Sequence, residues 1–289
     1  MDGINCPTSI GSWFELSVET EADDHTDPTA SPLLHFGAEV RLERERLGIS
    51  RHDLAAKALC SYSLVAKIEA GDRVPPREFA EACDRLFPHS GGRFVRLWPL
   101  ALRYAFPPWF RAYVELETKA TAVRFFSLAL LPGLVQTEDY ARAVLRTGRT
   151  TGLDDLVTAR MARQRILTRE RPARLWLVVA ASALRATVGG PEVMRGQLNR
   201  LRELAEVPTN RVQILDDAKH HGFHSPFGIL SFADGASDVV HVDGFPRGYL
   251  LAEEGDVEQA RDAYDLLAAM AWSPNDSPDV IDSIMKDLS

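Results

Sequence analysis

The run "SYSLVAKIEAGDR", Ser61 to Arg73, sets out polar and basic side chains at a spacing suited to nucleic acid. Val65 and Ile68 lie three apart and share one face of a helix, which leaves Tyr62, Ser63, Leu64 and Lys67 on the other. Ser63 could bond a base or a phosphate, Lys67 a guanine or a phosphate, and Leu64 could pack on a thymine methyl. Ser61 caps the helix start. Arg51 upstream and Arg73 downstream are placed to clamp phosphates, contacts that fix register without reading sequence.

Other reactive groups point to weaker chemistry. His221 and His224 in "AKHHGFHSPF" have the i, i+3 spacing of metal ligands, with His220 beside them. A metal site wants a fourth donor and a fixed scaffold, and the stretch reads as a loop, so no metal or cofactor is expected. Cys60 and Cys83 fall on apolar helical positions, and with Cys6 they form no Cys-x-x-Cys pair. "TVGGPE" lacks the spacing of a phosphate loop, and no Ser-centred nucleophile elbow occurs, so the chain is not expected to be an enzyme. Gln136 and Tyr140 either line a pocket or cap and pack a helix start.

These residues need short helices to hold them. Val40, Leu42 and Leu47 are the apolar positions of a first helix that ends at Gly48. Ser50 caps a second, "RHDLAAKAL", with Asp53 as the reciprocal partner of a capping box. Ser61 opens the third, and Gly71 closes it. "PPREFAEACDRLF" and "GGRFVRLWPLALRYAF" supply a fourth and a fifth. A small core of Leu54, Ala55, Val65 and Ile68 would hold the second and third helices near perpendicular, the geometry of a helix-turn-helix.

From Pro107 the pattern changes. "PPWFRAYVELETKATAVRFF" reads as one helix, Thr137 caps another, and "TGLDDLVTARMARQRILTRE" gives a third. About four strands then follow, in "ARLWLVVAAS", "RVQILDD", "GILSFAD" and "DVVHVDG", with a helix between the first two and helices at the end. The expected fold class is mainly α with a smaller α+β part. The expected divisions are an acidic, disordered leader over 1–33, a five-helix bundle over 34–104 and an α+β region over 105–289.

The overall charge argues against DNA at first sight. The 289 residues carry a formal −8. The leader, however, holds seven acids (Asp2, Glu15, Glu19, Glu21, Asp23, Asp24, Asp27) and no Lys or Arg. Residues 34–88 are balanced, and Arg93, Arg96 and Arg103 make the next stretch basic. With little surplus positive charge, binding should rest on a few placed contacts rather than on non-specific attraction. The sequence shows no signal peptide and no apolar run near the ~18 residues of a membrane span, so a cytoplasmic protein is expected.

The stretch "LGISRHDLAAKALCSYSLVAKIEAGDRVPP" resembles the Xre (lambda-repressor-like) family. The resemblance rests on Ile49-Ser50, Leu54-Ala55, Ser61-x-Ser63, Ile68-Glu69-x-Gly71 and Pro75. Two positions depart from the family pattern: Leu59-Cys60 stands where a turn glycine is usual, and Arg51 replaces a frequent glutamine. Further on, "ETKATAVRFFSLALLPGLVQTEDYARAVL", "ARMARQ", "ALRATVGGPEVMRGQLNRL" and "LLAAMAWSPNDS" resemble the uncharacterised, antitoxin-like domain that follows Xre domains in many actinobacterial regulators. Ala180-Ala181 replaces the Asp-Glu pair common there.

The resemblance implies a transcriptional regulator that binds a double-stranded DNA operator, as a homodimer with half-sites ~34 Å apart. The C-terminal region would dimerise or sense a ligand or a small co-encoded protein. The alternative is an antitoxin-like interaction module that restrains such a protein, with DNA binding secondary.

Overall fold

Ser31 accepts a hydrogen bond from the Leu34 amide (3.1 Å) and so starts the first helix, α1 (Pro32–Arg46), earlier than its apolar spacing implies. The computed structural model describes residues 27–29, 31–103, 106–147, 153–219, 225–233, 235–244 and 247–288. Most of the leader and the histidine run 220–224 lie outside them. After α1 come α2 (Arg51–Lys57), α3 (Tyr62–Glu69), α4 (Arg77–Leu86) and α5 (Arg93–Arg103), the five-helix bundle that the sequence predicts. Ser50 and Asp53 close their capping box, with the Asp53 amide donating to Ser50 Oγ (3.1 Å) and the Ser50 amide to Asp53 Oδ2 (3.2 Å).

The expected core residues Leu54, Ala55, Val65 and Ile68 are buried, joined by Phe36, Val40, Phe79, Phe94 and Trp98. Cys83 belongs to this core, whereas Cys60 is only half-buried. Leu42, one of the apolar positions of the first helix, is 58% exposed.

Helices α1 and α3 approach so closely that a Cβ on Gly37 would lie 2.2 Å from the Ile68 carbonyl oxygen, a position only glycine can fill. An ion-pair triad then fixes their orientation. The buried Glu69 carboxylate on α3 accepts two bonds from Arg44 of α1 (2.6 and 3.0 Å) and one from Arg51 of α2 (2.8 Å).

The second half opens with α6 (Pro108–Lys119), and here the sequence reading is corrected. "AVRFFS" does not continue the helix. Ala120 turns extended, and residues Ala122–Ser127 form β1, a strand inside the sheet. The chain continues through α7 (Glu138–Arg146), α8 (Leu153–Arg163), β2 (Arg174–Ala180), α9 (Ala181–Arg185), α10 (Pro191–Glu206) and β3 (Arg211–Leu215). It ends with β4 (Phe227–Ser231), β5 (Val239–Val242), β6 (Tyr249–Leu251), α11 (Glu254–Met270) and α12 (Ser277–Asp287). Among the described residues six strands thus stand where about four are expected, in the order β3-β2-β1-β4-β5-β6. Pairings among β3, β2 and β1 are parallel, and those from β1 to β6 are antiparallel.

Both faces of the sheet are covered, so the central strands are apolar on both sides. Val123, Phe125, Leu175, Leu177, Val212 and Ile214 share a core with α7, α10 and α12. Phe126, Val178, Leu215, Ile229 and Val240 point the other way, against Val257, Tyr264 and Leu267 of α11. Helix α8 reaches both halves: Val157 is buried, Ala159 joins the sheet core, and Ala162 packs on the bundle core.

Removing the acid of the triad leaves two guanidinium groups without their shared partner, and losing one member of a buried pair costs about 3–5 kcal/mol. Because Arg51 is partly solvated, Glu69→Ala should lower the stability of the bundle by about 3 kcal/mol. Urea denaturation followed by circular dichroism measures this, and an unchanged midpoint would contradict it.

Candidate nucleic-acid interface

Helix α3 begins where the Leu64 amide donates to Ser61 Oγ (3.1 Å). Its apolar residues face the bundle core, and this decides what is left for solvent. Ser61, Tyr62, Ser63 and Lys67 are exposed, while Val65, Ile68 and Glu69 are buried. Leu64 is half-buried against the bundle core. Tyr62 stacks on His52 of α2 (ring centroids 4.5 Å apart), which steadies the first turn of α3 from the side. The exposed strip is therefore short and polar, with three hydroxyls at its start and one amine toward its end. Such groups hydrogen-bond base edges or phosphates.

The turn ahead of α3 holds the Leu59-Cys60 pair. Leu59 adopts φ +54° and is 94% exposed. Left-handed backbone at a residue with a Cβ costs roughly 1–2 kcal/mol, and no burial of the side chain offsets it. The Cys60 amide nonetheless donates to the Ala55 carbonyl (2.9 Å), so the turn keeps the shape that a glycine would give.

The two flanking arginines have protein partners. Arg51 donates Nε to the buried Glu69 and is about one-third exposed, so the triad holds its guanidinium beside the last residue of α3. Arg73 lies two residues past Gly71, and its partners come from α8. Its Nε is 2.8 Å from Asp155 Oδ1, and its Nη1 donates to Asp154 Oδ2 (3.2 Å).

Asp154 also bonds Arg142 of α7, and this bond is the main cause of its lowered carboxyl pKa. Asp155 is more enclosed, and burial raises its pKa against the pull of Arg73 and Lys67. The amino-terminal turn of α8 thus sets two carboxylates at the C-terminal flank of α3. Sequence reasoning could not find this contact, because Arg73 and Asp154 are 81 residues apart.

The remaining candidates fall elsewhere. Tyr140 is fully buried, and its hydroxyl accepts from the Leu131 amide (3.3 Å). The Gln136 amide donates to the Leu131 carbonyl (2.7 Å), and its Oε1 accepts from Arg160 (2.9 Å). Tyr140 thus serves packing, while Gln136 also borders a cavity. No group of three or more His, Cys, Asp or Glu side chains suited to a metal occurs among the described residues. None of the described helices is long and apolar enough to cross a membrane.

Replacing Leu59 by glycine relieves the backbone strain but adds ~0.5–1 kcal/mol of chain entropy to the unfolded state. Leu59→Gly should therefore stabilise the bundle by about 0.5–1 kcal/mol. Thermal melts test this, and a lowered midpoint would show that the left-handed turn is not strained.

Comparison with known families agrees with this geometry. Residues 110–283 match the family model described as a domain of unknown function, DUF5753. Residues 35–91 match a model described as a helix-turn-helix domain, which covers α1 to α4 and points to DNA binding and transcriptional regulation. No curated protein and no solved structure matches the chain.

Proposed function

The chain belongs to the DUF5753 family, and from its helix-turn-helix match and the geometry of α3 we propose a sequence-specific transcriptional regulator of the lambda-repressor-like (Xre) kind. Helix α3 reads the major groove through Ser63, Leu64 and Lys67, with Ser61 and Tyr62 at its first turn. Arg51, held by Glu69, meets the neighbouring phosphate. The bundle is close to neutral, so the contacts are few, and two copies on paired half-sites supply the affinity that one lacks.

The part built on the sheet acts as the sensor. The observation that carries this reading is the hold of Asp154 and Asp155 on Arg73, which ties the flank of the reading helix to α8. A phosphate and these two carboxylates compete for the same guanidinium. DNA therefore binds best when α8 releases it.

Gel-shift titration on duplexes from the chain's own upstream region tests both halves of the proposal. Lys67→Ala and Ser63→Ala should each weaken binding, and Lys67→Ala should reduce the salt slope of log K by about one if it meets a phosphate. Wild-type affinity in both variants would remove α3 as the reader. The double variant Asp154→Asn, Asp155→Asn should tighten binding roughly threefold to tenfold, the size of one or two exposed ionic contacts. Unchanged or weaker binding would contradict the restraint.

A further inference from the structure

Beyond the DNA-facing surface, a cavity of about 480 Å³ opens at the C-terminal end of β1, between α6, α8 and the start of β4. Phe110, Tyr113 and Phe125 form its aromatic wall, and Gln136, Arg160 and Arg163 its polar one.

The two arginines differ in how they are satisfied. Arg163 is buried, donates to both oxygens of the buried Glu117 (2.6 and 2.8 Å) and lies over the Phe110 ring (5.0 Å). That pair is electrically closed. Arg160, three residues earlier on α8, has one neutral partner, Gln136 Oε1 at 2.9 Å, and no carboxylate within ion-pair distance among the described residues. Burial and the neighbouring Arg163 push its pKa down to about 10, so it stays cationic at neutral pH.

The other titratable groups do not cancel this charge. His241 faces the cavity from β5, and burial depresses its pKa, so it is neutral; its Nε2 has no hydrogen-bond partner among the described residues. Asp243 stands at the rim with its side chain 67% exposed, where water screens it. Arg160 is half-buried, and a cation partly withdrawn from water without a paired counter-charge costs free energy that a bound anion would recover.

Gly133 adds an independent sign that room is kept at this wall. A Cβ there would lie 3.3 Å from Arg163 Nη1 and 3.6 Å from Arg160 Nε. Its backbone is not left-handed, so conformation does not demand glycine, and the missing side chain leaves space beside both guanidinium groups.

We propose that this cavity binds a monoanionic aromatic carboxylate of one or two rings, with the carboxylate on Arg160 and the rings against Phe110, Tyr113 and Phe125. One unmatched guanidinium calls for one negative charge, and a doubly charged phosphate would bring a second charge for which the cavity holds no free cation. The volume is at the small end of ligand pockets and suits a molecule of roughly ten to fifteen heavy atoms. The inference rests on reading the sheet-containing part as the sensor. Helix α8 carries Arg160 at this cavity and Asp154 and Asp155 at Arg73, so one rigid element joins ligand to DNA flank.

Isothermal calorimetry on the full chain without DNA tests the site separately from the DNA reading. The probes are 2-naphthoate and indole-3-acetate, each beside its neutral amide. At least one acid should bind at one site per chain, at least ~10-fold more tightly than its amide, about 1.4 kcal/mol. Arg160→Gln should erase that preference while the melting curve keeps its cooperative form. The proposal is overturned if neither acid binds at roughly millimolar concentration, if acid and amide bind alike to the wild type, or if a folded Arg160→Gln protein keeps the preference. The wild-type comparison of acid with amide decides the matter even if the variant does not fold.

Discussion

A single buried carboxylate sets the geometry on which the DNA-reading account depends. Glu69 sits at the end of α3, and its bonds to Arg44 and Arg51 tie that helix to the two before it. Apolar packing by Val65 and Ile68 presses α3 onto the bundle but tolerates small rotations, because hydrophobic contact has little direction. Charged hydrogen bonds do have direction. With the rotation of α3 fixed, Tyr62, Ser63 and Lys67 remain on the solvent side, and Gly37 lets α1 come close enough for Arg44 to reach.

Helix α8 is the second organising element. Asp154 and Asp155 meet Arg73, and Arg160 and Arg163 reach the cavity beside β1. Between them, Ala159 and Ala162 are small enough to seat the helix between the two cores. A packed helix moves as a unit, so a displacement felt at Arg160 is felt at Asp154 about two turns away. The Pro132 to Tyr140 run supports this arrangement. Gly133 clears space for the arginines, Gln136 bonds Arg160, and Thr137 caps α7 while its amide donates to Gln197 (2.7 Å).

What was legible in the sequence was local. The caps at Ser50 and Ser61, the burial of Val65 and Ile68 and the five-helix order each depend on neighbours within about one turn. The β1 strand was not legible, because it is apolar on both faces and follows α6 after two residues, so helical spacing runs into it without a visible break. The three-residue β6 is too short to show a period. The partners of Arg51 and Arg73 lie 18 and 81 residues away, and no spacing rule connects them. Gln136 was legible only as one of two options, and the geometry assigns it a cavity wall as well as a structural bond.

On the proposed function, α3 reads a defined DNA sequence from two copies of the chain. Selection of binding sites from a random duplex library by the full-length protein tests this most directly. The expected result is enrichment of a pseudo-palindromic site whose half-sites are about one helical turn, ~34 Å, apart. A library that retains no preferred sequence after repeated rounds would contradict it.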